Sequence, residues 1–169
     1  KQDILNEQQI GELLKTSDVI IAQRGYTWFN KVGSRYGKYL IEGNSDMRIC
    51  EEAVKKITPE YSDAFDEVMN RNYYSQFNMM ICKKEIFDSY CDWLFKVLGY
   101  VEEHLEYPLN KREPYNARVF GFLSERLLNV WLAKNIQYKT KELPVFNTEE
   151  SIFKQKAFSC FKSIFKKVF

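Results

Sequence analysis

Apolar residues fall along this chain in alternating helical and strand-like spacings. Beyond Asn6, a good N-cap, Ile10, Leu13 and Leu14 share one face of a short helix. The β-branched run Val19-Ile20-Ile21 that follows predicts a buried strand, and helix then strand is half of an α/β unit. Ser45 caps a helix to about Ile57, and Thr58-Pro59-Glu60, in N-cap and N1 order, restarts one that ends near Asn70. Tyr73 to Cys82 fits one strand, buried towards its end. Phe87, Tyr90, Cys91, Leu94, Val97, Leu98, Val101 and Leu105 then hold the period of a long amphipathic helix. After a loop from Tyr107 to Tyr115 come a helix from Arg118 to Lys134 and a strand across Ile136 to Phe146. Asn147-Thr148-Glu149 opens a last helix. The alternation predicts the α/β class.

Two segments break the pattern. Between Gln23 and Ser45 no period holds; Gly25, Gly33, Gly37 and Gly43 punctuate Tyr26, Trp28, Phe29, Tyr36 and Tyr39. Such a loop either stacks its aromatic rings on sugars or pins itself to the core with them. The second is the run from Ala117 to Leu132, apolar nearly all round and therefore a buried helix. Along it Arg118, Glu125 and Asn129 form a stripe at i, i+7 and i+11, with Arg126 adjoining and Gly121 near enough to admit another backbone or a ligand. Ionised groups in so apolar a helix cost several kcal/mol unless paired or facing a wet pocket. The stripe is either an ion-pair lock or the wall of a polar site.

Composition narrows the classes. With 169 residues, 45% of them hydrophobic, one medium-sized domain follows. The formal net charge of +2 gives no field for nucleic acid. Cys50, Cys82, Cys91 and Cys160 make no CxxC pair and suggest free thiols in a reducing cytoplasm. With one histidine, His104, on the apolar stripe of its helix, no zinc spacing exists, and a structural role suits it better than a catalytic one. Asp88 and Asp92, an i, i+4 pair, read as a solvated face. No stretch is apolar enough to span a bilayer. With Lys1 in place of an initiator Met, a processed chain or the later portion of a longer one is the expectation.

Residues 149–169 are expected to form a basic amphipathic tail helix beside a domain of residues 1–148. Phe158, Phe161 and Phe165 gather on one face, with Lys162 and Lys166 on the other. That distribution suits an anionic membrane surface, each lysine contributing about 1 kcal/mol. The alternative is a helix folded against the domain.

From Pro59 to Asn147 the chain resembles a known family. The residues that carry the likeness are Pro59-Glu60-Tyr61, Ala64-Phe65, Asn78-Met79, Lys84-Glu85-Ile86-Phe87, Tyr90-Cys91-Asp92-Trp93-Leu94-Phe95 and Pro144-Val145 with Asn147-Thr148. Above all it is Arg118 to Leu127 with Asn129-Val130-Trp131-Leu132. These are similar to the C-terminal half of bacterial proteins catalogued as a domain of unknown function. Such proteins occur in capsular, exopolysaccharide and O-antigen gene clusters and are regarded as glycosyltransferases, some of them galactofuranosyltransferases.

The resemblance implies the C-terminal part of a single-domain, GT-A-like nucleotide-sugar glycosyltransferase. It would move a hexose to a lipid-linked saccharide in the cytoplasm, peripheral to the inner membrane. The family's strand-rich nucleotide-binding half, with its His-Tyr-Arg-Arg-like motif, has no counterpart here, nor do the histidines expected between Tyr36 and Ser45. The alternative is therefore a non-catalytic, membrane-associated module that pairs with a separate nucleotide-binding half. A looser likeness to retaining glycosyltransferases sets Phe77-Asn78-Met79 and Glu125 with Asn129 near a sugar.

Glycosyl transfer needs a carboxylate for the acceptor proton, positive charge for the departing diphosphate, and hydrogen bonds to sugar hydroxyls. Glu125 is the candidate carboxylate. Arg118 and Arg126 offer planar forks for phosphate or an ion pair with Glu125, and Asn78 and Asn129 suit sugar hydroxyls. No Asp-x-Asp motif occurs, so no metal ligand is assigned, and a divalent metal would belong to the missing N-terminal part.

Overall fold

Val19, Ile20, Ile21 and Ala22 are all buried, which requires a strand covered on both faces. In the computed structural model, which describes residues 4–27, 30–34 and 43–146, this strand (β1, Val19–Ala22) is the middle of three. On one side β4 (Met80–Cys82) runs antiparallel to it, pairing Ile20 with Ile81; on the other β5 (Thr140–Leu143) runs parallel, pairing Ile20 with Lys141. A separate antiparallel pair joins β2 (Arg24–Tyr26) to β3 (Tyr73–Ser75). The helix before β1 (α1, Glu7–Leu14) is closed by a reciprocal capping box of Asn6 and Gln9.

Four longer helices build the core. They are α2 (Gly43–Ile57), α3 (Ser62–Asn70), α4 (Lys84–His104) and α5 (Val119–Lys134). α2 packs on α4 and α3 on α5, and Ile49, Ala53 and Val54, Trp93, Leu94 and Val97, Phe65 and Val68, and Leu127, Leu128 and Trp131 are buried in the one core these helices share. A short 3-10 turn, Pro59–Tyr61, leads into α3 and stacks Tyr61 on Trp93 with ring centroids 4.6 Å apart. As its sequence predicts, α5 is buried almost all round.

The sequence pattern misleads in four places. Tyr73 to Cys82 is not one strand but two, in different sheets, and the buried end is that of β3. The break falls at Phe77, whose φ of 73° no strand accommodates. Within the segment from Gln23 to Ser45, β2 is regular, because its partner β3 supplies a ladder that local spacing does not reveal. Phe87 faces solvent, and Ile86 and Trp93 take the inward positions of α4 instead. His104 is exposed at the end of α4, stacked on Tyr100 and hydrogen-bonded through Nδ1 to the Tyr100 carbonyl, 2.8 Å.

The last strand is confined to Thr140–Leu143. The expected final helix and its membrane-contact candidates Phe158, Phe161, Phe165, Lys162 and Lys166 lie outside the described residues, as do residues 28–29 and 35–42 of the glycine-punctuated segment. Among the described residues no helix is long and apolar enough to cross a membrane.

Candidate active site

The chain changes sheets twice, at Gln23 between β1 and β2 and at Gln76–Met79 between β3 and β4, and the two crossings are tied together. Ser75 Oγ donates to the Ala22 carbonyl at 2.5 Å. One side chain of α5 fixes the junction. Asn129 Oδ1 accepts the Ser75 N–H at 2.8 Å, while its Nδ2 donates to the Ser75 carbonyl at 2.9 Å and to the Glu125 carbonyl at 2.8 Å. A carboxamide so placed satisfies the backbone of a strand end that would otherwise be buried unpaired.

Beyond this clamp the Gln76–Met79 loop lies against the first half of α5. Asn78 Nδ2 donates to the Gly121 carbonyl at 3.0 Å. Phe77 carries a left-handed φ of 73°, and its backbone N–H faces the Glu125 carboxyl closely enough to lower its proton affinity in part. Such a backbone costs an aromatic residue about 1–3 kcal/mol. Phe77 is 47% exposed, so the conformation is not bought by burying its ring. Accordingly, Phe77→Gly is expected to be more stable than Phe77→Ala by about 1 kcal/mol in denaturant unfolding. The reverse order, normal for a right-handed position, would show that φ is not left-handed there.

Glu125 is half-buried, and burial pushes its carboxyl above the ordinary glutamate value. The charges of Arg126 and Arg118 and the Phe77 N–H pull it back only in part. Neither arginine forms an ion pair with it among the described residues. The lock that the stripe suggested is therefore absent, and the carboxylate sits in a partly dry, partly open place. A group so poised takes up a proton more readily than a solvated glutamate does.

The two arginines diverge. Arg126 is 5% exposed, donates to the Phe122 carbonyl at 2.9 Å and lies over the Tyr74 ring, so its guanidinium faces the interior. Arg118 is at the surface, with its guanidinium 5.4 Å from the Phe122 ring centroid and 6.0 Å from that of Tyr115. The space above the Gly121 Cα is open; a Cβ built there would meet nothing within 4 Å. The structure thus gathers Glu125, Asn78, Arg118 and Asn129 along one face of α5 and its facing loop, and sets Arg126 inside.

On the far side of Asn129 a cleft of about 290 Å³ opens between the two sheets, lined by Arg24, Arg71, Tyr73 and Glu142 among others. Arg24 there is already bonded to Glu142, Nε to Oε1 at 2.6 Å. Burial pushes the thiol of Cys50 up to about 12 and raises those of Cys82 and Cys91, so none is poised as a thiolate nucleophile. Among the described residues no group of three or more His, Cys, Asp or Glu is placed to hold a metal ion.

Comparison with known proteins gives the family. A model described as a domain of unknown function, DUF4422, matches residues 1–136. The chain belongs to this family. No curated protein matches it significantly. Among solved structures, this DUF4422 chain is similar to the apo form of the WbbM bifunctional glycosyltransferase, at 26% identity and a TM-score of 0.76. The match covers 82% of this chain and 25% of that one, so the chain spans about a quarter of the larger protein's length. The domain is thus glycosyltransferase-related with a mixed α/β architecture.

Sequence reasoning missed the Phe77 backbone and Ser75. Nothing in the text around Phe77 marks a left-handed residue, whereas an asparagine buried in an apolar helix does signal a backbone clamp.

Proposed function

We propose that this domain takes part in glycosyl transfer, moving a hexose from a nucleotide sugar to a saccharide acceptor, with Glu125 accepting the proton of the attacking hydroxyl. The observation that carries the reading is the Glu125 carboxylate, half-buried, raised in proton affinity and unlocked by either arginine, in a chain similar to a bifunctional glycosyltransferase. In this reading Asn78 and Arg118 face the substrates, while Asn129 and Arg126 hold the loop and helix that present Glu125. The acceptor is a lipid-linked saccharide at the cytoplasmic membrane face, as in capsule, exopolysaccharide or O-antigen synthesis, and galactofuranose is among the hexoses to test. Any divalent metal is held outside the described residues, and the basic tail from residue 149 is the membrane contact.

The test is a panel of nucleotide sugars offered with a lipid-linked oligosaccharide, the product linkage being read by NMR. Transfer of one hexose is the expected result. A protein that binds acceptor yet transfers from no donor, alone or with a nucleotide-binding partner, is a non-catalytic module, and the reading falls.

A further inference from the structure

The surface beside Glu125 has a shape of its own. At roughly 100° per residue, Gly121 lies about 40° to one side of Glu125 on the α5 cylinder, and Phe122 about 60° to the other. The Gln76–Met79 loop stands on the Gly121 side, where Asn78 grips the Gly121 carbonyl and Phe77 leaves its ring 47% exposed. On the other side Tyr115, 57% exposed, tilts against Phe122 at 5.1 Å, with Arg118 over both rings. Between these walls the helix surface is open above Gly121, and Glu125 sits one turn further on. A glycine inside a helix costs about 0.5–1 kcal/mol relative to alanine, and no packing contact requires one here.

We propose that this open strip of α5, between the Phe77-Asn78 wall and the Tyr115-Arg118-Phe122 wall, seats the acceptor sugar and turns one of its hydroxyls towards Glu125. The inference rests on the glycosyl-transfer reading and adds where the acceptor lies. A pyranose or furanose ring offers apolar C–H faces to Phe77 and Tyr115 and hydroxyls to polar groups. Because Asn78 spends Nδ2 on the Gly121 carbonyl, its Oδ1 is left to accept from a hydroxyl. Arg118 donates to another. In the transfer step the acceptor oxygen forms its bond to the anomeric carbon and gives its proton to Glu125. The bond from that carbon to the donor phosphate breaks, and the nucleoside diphosphate departs with the electron pair. A side chain at position 121 would occupy the volume of the acceptor ring and leave the donor untouched.

The experiment compares the full protein with Gly121→Leu, and with Gly99→Leu as a control at another helical glycine whose Cβ space is open. Gly121→Leu is expected to raise the acceptor KM by roughly tenfold or more. Donor KM and the slow hydrolysis of donor by water stay at the parental level, Tm does not fall, and Gly99→Leu changes none of these. An unchanged acceptor KM overturns the proposal, as does an equal loss of donor hydrolysis. If the parental protein turns over no donor, the glycosyl-transfer reading fails first, and the groove is judged by saturation-transfer NMR with the oligosaccharide. Signal lost in Gly121→Leu upholds the site; signal retained overturns it.

Discussion

Glu125→Gln is expected to leave a folded protein whose glycosyl transfer has fallen by roughly a hundredfold or more, the scale of a lost general base. The amide matches the carboxylate in size and keeps an oxygen towards the Phe77 N–H, and the Asn78 bond to the Gly121 carbonyl is untouched, so the loop and its left-handed residue stay in place. What disappears is the ability to take the acceptor's proton. Stability moves the other way. A carboxyl whose folded value is raised favours the folded state below the unfolded value of about 4.3, and that advantage is lost as pH rises through the folded value. Glutamine does not titrate, so at neutral pH the variant melts no lower than its parent. Loss of activity with no loss of Tm marks a residue placed for chemistry. A variant that loses both in proportion would make Glu125 a structural group.

The second large effect lies away from the site. Arg112 and Asp46 form a bidentate ion pair, 2.7 and 2.8 Å, with both side chains wholly buried, and Arg112 also donates to the Tyr107 carbonyl from Nε and from one terminal nitrogen. The pair fastens the loop before α5 to the first turns of α2. Asp46→Ala leaves the buried guanidinium without its carboxylate and is expected to cost about 3–5 kcal/mol, a fall in Tm on the order of 10 °C. Replacing both partners, Asp46→Leu with Arg112→Met, removes the stranded charge and is expected to recover most of that loss. Thermal melting of the three variants checks it. A harmless Asp46→Ala, or a double variant no better than the single, would contradict the pairing.

Local chemistry made much of this legible. The N-cap at Asn6, the β-branched run of β1 and the all-round apolarity of α5 each express a short-range rule, and each element forms where the rule places it. The stripe of Arg118, Glu125 and Asn129 was visible for the same reason, since helical spacing alone brings those residues to one face. The pairings between distant segments were hidden. The Asp46–Arg112 bond spans 66 residues, and the Asn129 clamp on Ser75 spans 54. Helical period could not foretell that Arg126 turns inward to the Phe122 carbonyl while Arg118 turns out to the Tyr115 ring, because both adjoin Glu125. The split of Tyr73–Cys82 was hidden too, since alternating apolar residues read as one strand whichever sheet each half joins. Gly121 was read as admitting either another backbone or a ligand; no backbone packs on it, and the space above it is open.

Glu125 as the proton acceptor is tested most directly by the pH dependence of transfer. With the hexose donor found in the panel, kcat of the parental protein is expected to fall on the acid side along a limb that begins above the ordinary glutamate value, the direction in which burial moves this carboxyl. Glu125→Gln should show only a low residual rate without that limb. A Glu125→Gln variant that transfers sugar at the parental rate, with the same acid limb, would contradict it.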